Sequence, residues 1–380
     1  MAEPLQDNIV QLTGDDVKVG VALPWSTFDK TGRLLLREGA IVTSNNQLNV
    51  LLERGMYRQK SPQDADIEPP PPATGQKLNP FITLDELLKR SRALLQSIVA
   101  GQAENARQHI EKLCADLNIL LDQDTDAALA GMHLDSEGPY SVAHSLYCAM
   151  LAGLISRRRD YGQDVRMTLM AAALTSNVGM LDLQEKLVKH DGPLSEETRK
   201  EIERHPERSA KLLKAAGIDD GEWLTIVEQH HEKEDGSGYS RGLSGPAIHE
   251  GAKIVSVADR YHALISDRAQ RSGLAPTESL RKLFVLKEGL DEASVFALIK
   301  ELGIFPPGVY VRLFNGEIGM VTRRGQDGVS PQVSSLIGPR GAPYNKPFAR
   351  DCGIAQYAIK EMAEPLSIPV SDLYGMWGYG

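Results

Sequence analysis

His230-His231-Glu232-Lys233-Glu234-Asp235-Gly236-Ser237-Gly238-Tyr239 is the stretch on which the reading of this chain turns. Two adjacent imidazoles precede a short, polar, glycine-rich turn. Adjacent helical residues point about 100° apart, so on a helix these rings do not share one face. Either they serve neighbouring sites, or one binds while the other orients. Downstream, Asp259 ends the apolar helical run Ile254-Val255-Ser256-Val257-Ala258. A buried carboxylate is costly unless it is paired or metal-bound. Upstream, a helix is expected to begin near Ser195, with Glu196 and Glu197 in its first turn. His205 precedes Pro206, and proline disfavours helical geometry in the residue before it, so that helix is expected to break at His205 and display its ring in a cleft. Further upstream, His144 has Cys148, Leu151 and Ile155 at i+4, i+7 and i+11, and so points inward. Taken singly, each has an ordinary account: a core histidine, a kink, a salt-bridged or capping aspartate. Together, on successive helices, they are the ligand inventory of a carboxylate–imidazole metal cluster able to activate water.

The rest of the chain is compatible with an enzyme-like body. Of 380 residues, 42% are hydrophobic and 24% charged, which excludes wholesale disorder and collagen-like architecture. No apolar run reaches the roughly 18 residues needed to span a bilayer. The longest, Leu146 to Ile155, reads as a core helix, and the N-terminus shows no signal-peptide pattern. Cys114, Cys148 and Cys352 are odd in number and widely spaced. They read as buried thiols in a reducing compartment, so a cytoplasmic location is expected. A net charge of -9 argues against binding a nucleic-acid polymer.

Five segments follow from the punctuation. Residues 1–60 read as a ββα unit, with strands at Val17–Leu23 and Arg33–Leu36, a turn at Asp29-Lys30-Thr31-Gly32, and a helix from Ser44 through Leu48, Leu51 and Leu52 to Gly55. Residues 61–80, with four prolines after Glu68, read as a semi-rigid linker. Residues 81–139 form a helical connector, with Leu84, Leu87, Leu88, Leu94, Leu95 and Ile98 in helical period from Thr83. Residues 140–302 carry the histidines on a bundle of about five to seven helices. Residues 303–380 are a β-containing extension. Val309–Phe314 and Ile318–Thr322 flank Asn315-Gly316, a strong hairpin signal because both turn residues accept positive φ, and Val333–Ile337 is a candidate third strand. The fold class expected is mainly α: a helical bundle with a small N-terminal α+β unit and a C-terminal β-hairpin segment.

Residues 140 to 302 resemble the HD-GYP domain, a bacterial branch of the HD metal-dependent phosphohydrolases. The resemblance rests on Ala171-Ala172-Ala173-Leu174, Arg204-His205-Pro206-Glu207, His230-His231-Glu232 with Asp235-Gly236-Ser237-Gly238-Tyr239, and Val257-Ala258-Asp259 followed by Ser266-Asp267-Arg268. The N-terminal unit and the Pro306–Glu317 hairpin also resemble segments that accompany this domain. The resemblance implies metal ligation by His144, His205, His230, His231 and Asp259. It also implies a ligand pocket involving Asp235, Gly236, Gly238, Tyr239 and Arg268, an arginine near ligand phosphates. Active members of the family hydrolyse cyclic di-GMP with two or three metals, commonly iron or manganese, which hold an attacking hydroxide.

One motif departs from the family pattern. His-Asp-x-Gly-Lys is here Ser176-Asn177-Val178-Gly179-Met180. Serine is a weak ligand beside imidazole, a neutral amide is a poor metal bridge, and methionine cannot stabilise a phosphate anion. Asp182, five residues beyond Asn177, is a poor substitute bridge. Tyr140 stands where three-metal members have glutamate, and Ser240 where the family has proline. Losing a metal ligand or a catalytic electrostatic group each costs on the order of 10²-fold. The expectation is therefore a catalytically impaired pseudo-enzyme in cyclic di-GMP signal transduction. It would act by nucleotide binding, protein interaction or both, with at most one residual iron or manganese ion. Two alternatives stay open. One is an active cyclic di-GMP phosphodiesterase with an altered metal site. The other is an adaptor that does not bind nucleotide and docks a partner such as a diguanylate cyclase. A homo-oligomer is compatible with either. Arg157-Arg158-Arg159 reads as a solvated helix end.

Overall fold

In the computed structural model the chain divides into two compact units, Met1–Gln76 and Lys77–Gly380. The described residues are 9–12, 17, 21, 23–29, 33–40, 42, 51 and 57–59 of the first unit. In the second they are 79–379, except 135–137, 268, 270–271, 287–288, 326–327 and 367–373.

The first unit holds strands β1 (Ile9–Gln11), β2 (Thr27–Phe28), β3 (Leu34–Leu36) and β4 (Tyr57–Gln59) in one antiparallel sheet ordered β1-β4-β2-β3. Leu12, Val17, Leu23 and Val42 form its core. Of the strand expected at Val17–Leu23, the described residues are Val17, Val21 and Leu23, and none of the three is in a strand. Val17 and Leu23 turn inward, but Leu23 exchanges bonds with Gly39 and Ala40 in a turn-like link rather than a ladder. Lys30–Gly32, Leu48, Leu52 and the linker 61–78 lie outside the described residues, whereas Leu51 is helical. Asp29 closes the β2–β3 connection by accepting from the Arg33 backbone N–H at 3.0 Å.

The second unit is a helical bundle followed by a sheet. Helix α1 (Pro80–Val99) starts three residues before the expected Thr83, because Asn79 caps the Phe81 N–H at 3.1 Å and Pro80 tolerates the first turn. Next come α2 (Ala106–Leu134), kinked at Asp124, and α3 (Tyr140–Arg158). Nearly every side chain of α3 from Ser141 to Ser156 is buried, as befits a helix surrounded by others. They are followed by α4 (Gln163–Thr175), α5 (Leu181–Lys189), α6 (Glu196–Ala215), α7 (Gly221–Gln229), α8 (Glu250–Ile265), α9 (Pro276–Leu286) and α10 (Glu292–Leu302). Eight helices thus fall between 140 and 302 among the described residues, against the five to seven expected. The nine-residue α5 and α7 are too short for their period to register in the sequence.

The C-terminal segment is more than a hairpin. Strands β5 (Tyr310–Leu313), β6 (Ile318–Arg323), β7 (Gln332–Ile337), β8 (Pro343–Asp351) and β9 (Ile359–Met362) form an antiparallel sheet ordered β8-β7-β6-β5-β9. Gly316 takes φ +91 in the β5–β6 turn, as the Asn-Gly signal requires. The arginine run at the end of α3 is ion-paired, Arg158 to Glu301 at 2.7 Å and Arg159 to Asp291 at 3.2 Å. The three cysteines are buried and unbridged. No described helix is long and apolar enough to cross a membrane.

Candidate metal centre

Helix α6 runs unbroken through Pro206, so the break expected at His205 does not occur. Pro206 has no N–H for the Ile202 carbonyl four residues back. The His205 Nδ1–H takes that role, donating to Ile202 O at 2.5 Å, and the helix continues. Helix α7 ends at Gln229, with His230 as its cap and His231 in the turn beyond. The 100° spacing of adjacent helical residues therefore does not govern the pair. Their ring centroids are 4.1 Å apart, and the rings lie 5.1 and 5.0 Å from His205.

His230 Nδ1 donates to Val227 O at 2.7 Å. With both Nδ1 atoms donating, His205 Nε2 and His230 Nε2 each present a lone pair, and the two nitrogens are 3.2 Å apart. Neutral rings have no proton to set between them. Burial, reinforced by His230, pushes the protonation of His205 down to about 3. Burial likewise lowers His230, and it holds His231 well below the usual imidazole range. A shared proton is therefore disfavoured, and a divalent cation is the partner that such convergent lone pairs fit. The ligand atoms of His205, His230 and His231 lie within 4.8 Å of one another and could hold one.

Gly179 sets how close α6 comes. A Cβ there would fall 2.7 Å from Ser209 N and 2.8 Å from His205 O, both backbone atoms. Gly179→Ala is expected to push α6 outward at about 1–3 kcal/mol and to loosen His205. A urea-denaturation midpoint and bound-metal content read both effects, and wild-type values for both would show slack in that contact.

Asp259 on α8 is arranged differently. Its Oδ1 accepts from His144 Nε2 at 2.8 Å and from the Asn177 side-chain amide at 3.2 Å. Ser176 Oγ turns away and donates to Ala173 O at 3.1 Å. Burial pushes the Asp259 carboxyl up, but His144, His231 and His230 outweigh it and hold the group well below the usual carboxylate range. His144 Nδ1 faces His262 Nδ1 at 3.0 Å and the Tyr140 hydroxyl at 3.3 Å. His262 was not anticipated from the sequence. Its signal is the i+3 spacing from Asp259, which sets both on one face of α8. Asp182 is exposed.

His144, His205, His231 and Asp259 line a cleft of about 360 Å³, together with Tyr140, Met180, Lys233, Tyr239 and Arg260. Tyr239 stacks on His231 with centroids 4.7 Å apart. Gly238 permits that approach, because a Cβ there would fall 2.5 Å from His231 O and Lys233 N. Gly236, at φ +77, helps form the turn. Asp235 is exposed and accepts from Ser237 N at 2.9 Å rather than lining the cleft. Arg268 lies outside the described residues.

The buried imidazoles give stability a pH dependence. In the unfolded chain these rings take up protons near pH 6.5. In the folded chain burial resists this, so the unfolded state binds more protons as pH falls. Their stabilisation is complete above about pH 6.5 and is lost toward the folded value, about 3 for His205. The metal-free chain should melt at a lower temperature at about pH 5 than at about pH 7. A flat profile across that interval would contradict neutral buried rings.

Comparison with known proteins fits this geometry. Residues 93–288 match the HD domain family. The chain is 25% identical over 259 residues to the cyclic di-GMP phosphodiesterase PA4108 of Pseudomonas aeruginosa, covering 67% of this chain and 62% of that protein. It is 30% identical over 226 residues to the cyclic di-GMP phosphodiesterase response regulator RpfG of Xanthomonas campestris pv. campestris, covering 57% and 58%. The chain thus spans about six-tenths of the length of these relatives. Among solved structures, Bd1817, a HDG"Y"P protein from Bdellovibrio bacteriovorus, shares the fold with a TM-score of 0.52 at 17% identity, covering 77% of this chain and 98% of that one. With the family match extending over half its length, the chain belongs to the HD domain family and is related to the HD-GYP cyclic di-GMP phosphodiesterases.

Proposed function

We propose that this chain is a catalytically impaired HD-GYP protein of bacterial cyclic di-GMP signalling, acting by nucleotide binding, protein interaction or both. The observation that carries the reading is the Asn177 amide on Asp259 Oδ1 at 3.2 Å. A hydrogen-bond donor contacts the carboxylate where a hydrolase of this kind needs a second anionic metal ligand. Met180 lines the cleft with a thioether, which offers no charge to a phosphate. Both features support binding over turnover. His205, His230 and His231 would hold one residual iron or manganese ion, and His144 and Asp259 would contribute little to it. Tyr239, in its glycine-rich turn, and Arg268 would contact the nucleotide.

The convergent His205 and His230 lone pairs favour a second reading, an active phosphodiesterase with an altered metal set. One purified sample separates the two. Elemental analysis and calorimetric titration with cyclic di-GMP are expected to give substoichiometric metal, micromolar binding and no consumption of nucleotide. Arg268→Ala should weaken that binding. About two metals per chain with nucleotide consumed would establish the phosphodiesterase instead. Absence of binding would leave the adaptor, with a protein partner such as a diguanylate cyclase.

A further inference from the structure

One wall of the cleft carries a polar group for which the imidazoles and Asp259 have no use. Met180, at the start of α5, and Gln184, Leu187 and Val188 within it all line the cleft. Their spacing of i, i+4, i+7 and i+8 puts them on one helical face. Ile202 of α6 extends the same lining. Of these five side chains only Gln184 is polar. It is 6% exposed, and among the described residues its Oε1 has no hydrogen-bond partner. A buried polar atom left unpaired destabilises the fold that holds it. Glu185, the next residue, shows the contrast: it accepts from the Ser141 backbone N–H at 2.7 Å and so ties α5 to α3. Gln184 makes no such tie through Oε1, so its polarity is of no service to the folded chain alone.

The surroundings of the carboxamide indicate what it is fitted to meet. Apolar side chains with one carboxamide among them suit a nucleobase, which offers π-faces for packing and an edge of donors beside acceptors. A carboxamide has one oxygen acceptor and two N–H donors, and so can pair twice along a purine edge. The last torsion of a glutamine is broad, so the amide swings its oxygen toward the cleft at little cost. The cations of the cleft come from other elements. Lys233, beyond α7, and Arg260, on α8, are suited to phosphate oxygens.

We propose that Gln184 is a specificity-determining residue that reads the base of the bound nucleotide. Its carboxamide pairs with the edge of a purine, while the apolar side chains on its face of α5 pack against the ring. The inference rests on the nucleotide-binding reading and adds to it a contact with the base.

The test titrates the full chain calorimetrically with cyclic di-GMP and with cyclic di-AMP, which carry the same phosphates and differ in their bases. Gln184→Met keeps the length of the side chain and removes the carboxamide. It should weaken cyclic di-GMP binding by about 10-fold or more. The melting temperature of the ligand-free chain should stay level or rise, because an unpaired buried polar atom has gone. Gln184→Glu has acceptors only when ionised. It suits the adjacent N1–H and N2–H donors of guanine and opposes the N1 lone pair of adenine. The ratio of cyclic di-GMP to cyclic di-AMP affinity should therefore rise by about 10-fold or more, and charge effects cancel in that ratio. Wild-type affinity in Gln184→Met, or an unmoved ratio in Gln184→Glu, would remove the base contact and leave nucleotide binding standing. A lower melting temperature for Gln184→Met would make Gln184 a structural residue and also overturn the proposal. Gln184→Met decides the matter if Gln184→Glu fails to fold. A wild type that binds neither nucleotide would overturn the nucleotide-binding reading, and this inference with it.

Discussion

Ser176→His/Asn177→Asp/Met180→Lys is expected to raise cyclic di-GMP hydrolysis by at least about 10²-fold when manganese or iron is supplied. The reason lies in what each wild-type side chain does. Asn177 donates to Asp259 Oδ1 at 3.2 Å, so its aspartate counterpart would replace a donor with a second carboxylate. Met180 lines the cleft, so lysine there would bring an ammonium to the ligand. Ser176 is fully buried, and a larger ring in its place costs about 1–3 kcal/mol of packing. Asn177→Asp alone keeps the volume and is the cleaner companion. In chelator its two adjacent carboxylates repel, and the melting temperature should fall. Added divalent cation should restore it. Equal turnover by the wild type and the triple variant would remove the case for impaired hydrolysis.

Trp223→Ala should cost about 3–5 kcal/mol of stability, the largest loss expected from one side chain here. Trp223 on α7 is 2% exposed, and its Nε1–H donates to Thr175 Oγ1 at 2.9 Å, directly before Ser176 and Asn177. Its removal opens a cavity between the helix that His230 caps and the helix that delivers Asn177. Trp223→Phe keeps most of the ring and should lose about 1 kcal/mol, chiefly the hydrogen bond. Urea denaturation of the two variants separates packing from polarity. Equal losses would mean that the hydrogen bond, not the volume, secures this junction.

Much of the bundle was legible because helical patterns repeat over many residues. The leucines from Leu84 to Ile98 and the inward series from His144 needed no tertiary knowledge. The β5–β6 hairpin was legible because Asn315-Gly316 encodes its own turn. The outer strands were not. β8 carries Pro343, Lys346, Pro347 and Arg350 and is largely exposed, so it shows no alternation. Such residues mark an edge strand, which resembles a loop when read alone. At the site, the residue types were legible and their local geometry was not. His205 was expected at a break because a side chain that replaces a missing backbone donor leaves no trace in a pattern of apolar spacing. The 100° argument for His230 and His231 holds only on a helix, and the helix stops at Gln229. His262 escaped notice because its partner, His144, is 118 residues away.

Pro206 has a consequence beyond the continuity of its helix. The Ile202 carbonyl that it leaves unfilled holds the His205 ring by Nδ1, which aims Nε2 at His230. A ring left to rotate would have to be ordered when its ligand arrives, at about 0.5–1.5 kcal/mol. Here that entropy is lost during folding, so the imidazole is preorganised by a residue that contributes no ligand atom. The device acts on binding rather than on turnover, and it serves a receptor as well as it serves a hydrolase.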